Sequence, residues 1–224
     1  EQPANFDDPA ALDKLASFDA DLMVMAFVNV FVPEAARDTP RFGSICFHPS
    51  LLPLHRGPSA VNWPIIMGST KCRPRWFYPS DGLDEGDSLV QWECEIGPDD
   101  TVIDLYFKKI DAQRVDSVMT VCELYRSGEP PRIVANEDDA TYERRCLKKH
   151  AHVDWNKPVA HVYNLIRGTN PSPGAWTTLN GEEVQVFDCR REPGDGISSK
   201  VMAVADDGVT VQCIGGRIRF MPVR

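Results

Sequence analysis

One continuous apolar segment, DLMVMAF at residues 21–27, limits the fold more strongly than any other part of the chain. A run without polar alternation predicts a strand buried on both faces, which is typical of parallel sheets. A similar run follows at residues 43–48, and helix signals lie at residues 9–17 and at Pro33. Alternating helices and strands predict an α/β domain with a mainly parallel sheet.

The alternation of helix and strand patterns continues along the next part of the chain. Residues 59–67 predict a helix with Ser59 as its N-cap. Residues 73–79 and 88–96 predict two strands, and residues 99–126 carry a long helical pattern. These elements extend the predicted α/β domain.

The composition changes at the segment GEPP, where a charged stretch without apolar periodicity begins. We interpret residues 129–153 as a linker between a first domain at 1–128 and a second domain at 154–224. The second domain has a helical pattern at 157–167, followed by short strand-like runs at residues 183–189, 200–205, 209–214 and 218–223. Short strands separated by glycine-containing turns predict a small OB-like β-barrel.

Composition excludes several classes of protein. No apolar run approaches the roughly 20 residues of a membrane span, and the seven cysteines are scattered without a C-x-x-C pair. The five histidines show no zinc-type spacing. These features argue against a disulfide scaffold and against a metal site, and they predict a reducing, cytoplasmic location.

The net charge of −9 bears on nucleic-acid binding, which depends on Lys and Arg contacts to phosphates. Residues 154–224 contain eight basic and eight acidic side chains, so this segment is neutral. A tRNA partner is therefore not favoured, although a local patch at Arg217, Arg219 and Arg224 is left open.

Two motifs carry the chemistry of the chain. In HPSLLPLHRGP, residues 48–58, His48 leaves a predicted strand and enters a loop stiffened by proline. In DGLDEGD, residues 81–87, a glycine-rich acidic loop follows a second apolar run. Alone, a histidine at a strand end is most often structural, and an Asp/Gly segment is most often a polar turn. Their joint order and spacing point to one site.

This order and spacing resemble the folate-dependent formyltransferases and formyl hydrolases, whose fold is Rossmann-like. The resemblance implies 10-formyltetrahydrofolate as formyl donor, and His48 as proton donor or oxyanion stabiliser. It implies that Asp84 orients His48 and activates the nucleophile. It also places cofactor contacts at Val30, Phe31, Val32 and Asp84. Formyl transfer needs such groups, because negative charge develops on the carbonyl oxygen while the nucleophile loses a proton.

Cys46 is the main departure from the resemblance. Transferases of this family usually carry Asn two residues before the histidine, and a thiol is too weak a donor to replace an amide. We interpret Cys46 as a small buried residue and favour formyl hydrolysis, or transfer to a small amine, with a folate and water or that amine as partners. Methionyl-tRNA formyl transfer and folate binding without turnover are the alternatives.

The resemblance extends from about residue 20 to the end of the chain. Family members place roughly one further βαβαβ stretch before the strand at 21–27, so the chain is expected to be truncated or divergent. Without that stretch, the strand would be an exposed edge that invites association. The sequence therefore predicts marginal stability or a homo-oligomer formed through residues 21–27.

Overall fold

The computed structural model describes residues 3–28, 30–50, 53–128, 130–134 and 136–221. The chain forms two compact units that interleave along the sequence. The first unit contains residues 1–56, 73–93 and 114–142, and the second contains residues 57–72, 94–113 and 143–224. These units do not follow the expected boundaries of a linker at 129–153, and the domain division expected from the sequence stays a prediction.

The described residues contain α-helices, strands and three other helical segments. The α-helices α1 to α5 span Pro9–Ala16, Glu34–Arg37, Asn62–Ile66, Asp111–Ser127 and Val159–Gly168. The strands β1 to β12 span Met23–Met25, Ser44–His48, Lys71–Cys72, Arg75–Phe77, Ser88–Gln91, Cys94–Glu95, Ala175–Leu179, Glu182–Val186, Cys189–Glu192, Val201–Ala205, Gly208–Cys213 and Gly216–Phe220. A π-helical segment covers Asp104–Ile110, and short 3₁₀ segments cover Glu137–Asp139 and Lys148–His150.

The sheet of the first unit has the strand order β1-β2-β4-β5. Strands β1 and β2 are parallel, whereas the β2–β4 and β4–β5 pairs are antiparallel. The expectation of a mainly parallel sheet is therefore wrong, and the sheet is mixed. The connection from β4 to β5 is shorter than the dozen or so residues that a parallel crossover requires, so these two strands can only form a hairpin.

The alternation of side chains along β2 separates the core from the site. Ile45 and Phe47 lie on one face, where the Phe47 ring packs against Trp76 at 5.3 Å and Trp92 at 6.0 Å between centroids. Cys46 and His48 lie on the opposite face, because successive strand residues point to opposite sides. The strand therefore packs into the apolar core on one face, while His48 lies on the other face of the sheet.

Strand β1 forms an edge of the sheet in the part of the chain that the structure describes. The side chain of Val24 in this strand is 42% exposed. An exposed edge agrees with the sequence-based expectation for residues 21–27.

Most helix predictions for the first unit are confirmed. Asp8 caps α1 by accepting the N–H of Ala10 at 2.9 Å, with Pro9 in the first turn. Helix α2 begins directly after Pro33, whose extended conformation forms its N-cap. The long helical pattern was expected to begin at residue 99, but regular α-helix begins at Asp111, after the π-helical segment.

The expected N-cap role of Ser59 is wrong. Helix α3 begins at Asn62 and has Val61 as its N-cap residue. The Ser59 hydroxyl instead accepts the backbone N–H of Cys146 at 2.9 Å. A serine before an apolar pattern can serve a distant backbone donor as well as a helix end, and sequence does not separate the two uses.

The second unit is built around an antiparallel sheet in the order β10-β11-β12-β9, with a separate β7–β8 hairpin. Helix α5 packs on this sheet through Val162 and Ile166, which join a cluster of buried residues that includes Ile218. Gly168 ends α5 next to α3, and an added Cβ would lie 2.9 Å from the backbone nitrogen of Ile66. This antiparallel unit confirms the small β domain, while closure into an OB-like barrel stays a prediction.

Candidate functional site

His48 is the last residue of β2 and is almost fully buried, with 5% exposure. Its Nε2 atom lies 3.2 Å from the carbonyl oxygen of His55. A carbonyl can only accept, so Nε2 carries a hydrogen and donates it. The Ser50 hydroxyl also donates to the His55 carbonyl, at 3.0 Å. The loop after β2 therefore fixes the imidazole orientation and turns Nδ1 away from that carbonyl.

Asp84 lies on the loop between β4 and β5 and faces His48. Its Oδ1 atom is 3.4 Å from His48 Nδ1, and its side chain is 18% exposed. This separation exceeds the usual N–H···O range, so the contact is an ion-pair distance that a small movement or one water would close. The structure brings the two expected catalytic residues together, and their catalytic roles stay a prediction.

The loop that carries Asp84 has a constrained backbone. The Tyr78 N–H donates to the Asp87 carbonyl at 2.9 Å, and the Ser80 N–H donates to the Glu85 carbonyl at 3.1 Å. Gly86 has φ +125°, and a Cβ at this position would lie 1.8 Å from the Tyr78 carbonyl oxygen. Only glycine fits there, which explains the second glycine of DGLDEGD.

Three arginines hold this acidic loop, and the sequence reasoning missed all of them. Arg37 donates to the Ser80 carbonyl at 2.7 Å and pairs with Asp81 at 2.6 Å. Arg132 pairs with Asp87 at 3.1 Å. The third is Arg75, in β4, which donates to the carbonyl of Gly86 at 3.3 Å. A cation inside the apolar run that forms β4 was the available signal, because a buried charge needs a partner.

Arg56, from the HRG part of the first motif, organises a second polar network. It is 1% exposed, and it donates to Tyr142 at 2.7 Å and to Glu137 at 2.8 Å. The Tyr142 hydroxyl donates in turn to Glu85 at 2.6 Å. The hydrogen bond that Arg56 donates to Glu137 raises the pKa of Arg56. This network ties the loop after β2 to the loop that carries Asp84.

Cys46 is a half-buried, neutral thiol. Burial, together with the charge of Asp84, raises the pKa of Cys46 to about 12. The thiolate is the nucleophilic form of cysteine, and it is scarce at neutral pH under these conditions. Cys46 packs against the small cluster formed by Met25, Val32 and Ala36, which agrees with a packing role.

The expected folate contacts on the loop after β1 divide into two kinds. Val30 and Phe31 expose apolar side chains, at 37% and 62%. Val32 is buried at 7%, and its carbonyl accepts a hydrogen bond from Arg37 at 3.2 Å. Val32 therefore belongs to the core rather than to an apolar surface. Residues 51 and 52 of the HPSLLP loop lie outside the described residues.

The residue types at this end of the sheet fit a folate formyl donor. Strands β1 and β2 are parallel, so their carboxyl ends lie at the same end of the sheet. The loop that carries Phe31 and the residue His48 both follow from that end. Exposed apolar side chains suit an aromatic ring, and an imidazole beside a carboxylate suits a polarised carbonyl. The site thus combines an apolar surface with two polar groups.

Metal-ligating clusters, membrane-crossing helices and disulfides are absent from the described part of the chain. No group of three or more metal-ligating side chains is present there. No helix there is long and apolar enough to cross a membrane. All seven cysteines are free thiols.

The chain belongs to the formyl transferase family. Residues 2–121 match the formyl transferase domain, and residues 146–224 match the formyl transferase C-terminal domain. This confirms the family that the two motifs indicated.

Two curated relatives show how much of this family the chain covers. The chain is 37% identical over 179 residues to cytosolic 10-formyltetrahydrofolate dehydrogenase of Xenopus tropicalis, which covers 80% of this chain but only 20% of that protein. It is 32% identical over 216 residues to methionyl-tRNA formyltransferase of Fusobacterium nucleatum subsp. nucleatum, covering 96% of this chain and 67% of that protein. The chain spans about a fifth of the length of the dehydrogenase.

A solved structure supports the fold. HypX from Aquifex aeolicus, in complex with tetrahydrofolic acid, matches with a TM-score of 0.74 and 20% identity over 95% of this chain and 37% of that chain. The match confirms the formyltransferase fold. The expected formyl donor, 10-formyltetrahydrofolate, agrees with the name of the dehydrogenase and with the tetrahydrofolic acid in the HypX complex.

Proposed function

We propose that this chain removes the formyl group of 10-formyltetrahydrofolate and passes it to water or to a small amine. The observation that carries the proposal is the buried His48–Asp84 pair, at 3.4 Å, at the end of β2. When bound, the donor supplies an activated formyl carbonyl, and the residues of the chain supply orientation and proton transfer.

His48 is the proposed proton donor to the formyl oxygen. Its Nε2–H is held by the His55 carbonyl, so the atom available for chemistry is Nδ1. A hydrogen on Nδ1 can donate either to Asp84 or to an oxygen placed beside it. A donor fixed before the reaction stabilises developing negative charge without reorganisation.

Asp84 is the proposed acceptor of the proton from the nucleophile, and it returns that proton to the folate nitrogen as the formyl carbon–nitrogen bond breaks and tetrahydrofolate leaves. A carboxylate accepts hydrogen bonds at both oxygens, so it can face His48 with one oxygen and a water or amine with the other. Its partial exposure, 18%, leaves room for such a molecule.

The residue at position 46 favours hydrolysis over transfer to a large acceptor. The amide that transferases of this family use there is replaced by the neutral, half-buried thiol of Cys46. A thiol gives little help to an oxyanion, so the proposed donor among the described residues is His48.

Methionyl-tRNA formyl transfer is the second candidate, and the match to the Fusobacterium nucleatum enzyme over 96% of this chain favours it. The balanced charge of residues 154–224 speaks against it, because tRNA affinity depends on basic surface. Folate binding without turnover is the third, non-enzymatic candidate. A cytoplasmic location and a homo-oligomer formed through residues 21–27 remain predictions.

One experiment separates these three candidates. The chain is incubated with 10-formyltetrahydrofolate alone, with small amines, or with methionyl-tRNA, and tetrahydrofolate release is followed. Release with water alone supports hydrolysis, whereas release that depends on an amine or on tRNA assigns the acceptor. Binding without release in every mixture would reject the enzymatic proposal.

A further inference from the structure

Arg75 combines several features that are unusual for a strand residue. It lies directly opposite His48 in the antiparallel pairing of β2 with β4. Its side chain is 1% exposed, although it carries a charge. One terminal nitrogen donates to the Ser88 hydroxyl at 2.6 Å, and the other donates to the Gly86 carbonyl at 3.3 Å. The guanidinium therefore bridges the end of the Asp84 loop to the start of β5.

The bridge acts at a point close to Asp84 in the chain. Gly86 is two residues after Asp84, and the space around its Cα cannot hold the Cβ of any other residue. The carbonyl that Arg75 holds is therefore on a rigid part of the loop. Arg75 therefore fixes the loop through neutral acceptors, the Gly86 carbonyl and the Ser88 hydroxyl, rather than through a carboxylate.

The charge of Arg75 also acts on the site. Burial, and then the neighbouring Arg56, lower the pKa of Arg75 to about 10, so it remains protonated at neutral pH. The carboxylates that act on it are those of Glu137, Asp84 and Asp87. The charge of Arg75 is thus coupled to the Asp84 carboxylate.

We propose that Arg75 is a positioning residue, which holds the Asp84 loop through Gly86 and Ser88 so that the Asp84 carboxylate faces His48. This inference rests on the proposed function and adds a residue to it. The alternative is that Arg75 braces only the β4–β5 hairpin. In that case its loss would lower stability without acting through Asp84.

A double-mutant cycle on the full chain distinguishes these roles. Turnover of 10-formyltetrahydrofolate is measured for Arg75→Met, Asp84→Asn and the double variant. Arg75→Met should lower kcat roughly 10- to 100-fold, because small misplacements of a reacting group are costly, with less change in KM. When Arg75→Met is added to Asp84→Asn, kcat should fall almost no further, because the effects of residues that act together are not additive. Equal losses in both backgrounds, or unchanged kcat, would overturn the proposal.

A conservative variant and a control variant complete the double-mutant cycle. Arg75→Lys keeps the charge but cannot form two parallel hydrogen bonds, so an intermediate loss of kcat that also disappears in the Asp84→Asn background is expected. It answers the question even if Arg75→Met does not fold. Arg73→Met is the matched control, because Arg73, two residues before Arg75, forms an exposed pair with Glu93 at 3.5 Å outside the Asp84 loop. Its kcat should stay near that of the parent chain.

Amide hydrogen exchange distinguishes failure of the proposed function from failure of the proposed role of Arg75. If the parent chain shows no turnover, the proposed function fails, and exchange at residues 82–87 decides the role of Arg75. Faster exchange in Arg75→Met that is confined to this loop supports the positioning role. Exchange at the parent rate would overturn it, whatever the activity.

Discussion

The two units differ in what they bury. In the described residues of the first unit, the buried basic side chains are Arg37, His48, His55, Arg56 and Arg75. In the described residues of the second unit, Arg167 is the corresponding case. It donates to the carbonyl oxygens of Gly97 and Asp100, at 3.1 and 2.9 Å. Charge is thus concentrated in the interior of one unit.

The second unit shows the opposite solution. Its core is a cluster of mainly aliphatic side chains, in which Ile166 and Ile218 are completely buried. Apolar burial stabilises a fold, whereas buried charges need exact partners and add little net stability. The first unit therefore adds several buried basic groups to an apolar core and holds the candidate site, whereas the core cluster of the second unit is almost wholly apolar.

The largest expected effect is on the chemistry of the first unit. His48→Ala and Asp84→Ala should each lower turnover of 10-formyltetrahydrofolate by more than about 100-fold, because a positioned proton-transfer group contributes at least that much. Folate binding should survive His48→Ala better than Asp84→Ala. Steady-state kinetics and calorimetric folate titration measure both effects. Near-parental rates in either variant would break the assignment.

The next comparison is between an apolar and a charged core residue. Ile218→Ala should lower the free energy of unfolding by about 2 to 5 kcal/mol, because it leaves a cavity. Arg56→Met should change it by only about 1 kcal/mol, since Glu137, left behind, is 55% exposed and remains solvated. Urea denaturation measures both values. A larger loss for Arg56→Met would mean that the charged network also stabilises its unit.

Cys46→Asn tests whether the residue at position 46 sets the ratio of formyl transfer to hydrolysis. An amide at this position restores the donor that transferases of the family use, and one such donor is worth on the order of 3 kcal/mol when well placed. The ratio of formyl transfer to hydrolysis, measured with a small amine acceptor, should rise at least about tenfold. An unchanged ratio would show that Cys46 only packs.

The smallest expected effect concerns acid stability in the second unit. Hydrogen bonds from Lys108 and Thr101 lower the pKa of Asp104 from 3.8 to about 2. A carboxyl whose pKa is lowered by folding adds stability above its unfolded pKa, and this stability is lost as the pH falls through the folded pKa. Asp104→Asn should therefore flatten the stability curve between pH 3.8 and about 2. The free energy of unfolding is measured by denaturation at several pH values for both proteins. If it falls equally with pH in both across this interval, the prediction is wrong.

The sequence predicted elements whose formation is local. The strand that ends at His48 and the helix that begins after Pro33 follow from apolar runs and from proline geometry. Strand direction could not be predicted for β2 and β4, because the long connection between them permits either direction. Strands β7 and β9 were missed, since the residues of β9, CRRE, lack an apolar alternation.

The candidate site could be predicted only where a motif marked it. His48 and Asp84 lie in motifs with a recognisable order, and their proximity followed from that order. Arg37 and Arg75 lie in no motif, and apart from the Arg37–Asp81 pair their partners are backbone carbonyls and a hydroxyl, which any sequence supplies. Contacts of this kind become visible only when the chain has been folded.

The arginines around the Asp84 loop also predict how the site responds to ionic strength. Asp81, the partner of Arg37, is 81% exposed, and Arg132 is 62% exposed in its pair with Asp87. Dissolved salt screens such pairs, since the Debye length is about 8 Å at physiological ionic strength. Arg75 is shielded from solvent and holds neutral acceptors, so salt has little access to this link. Concentrated salt should loosen the outer rim of the loop while Asp84 keeps its place.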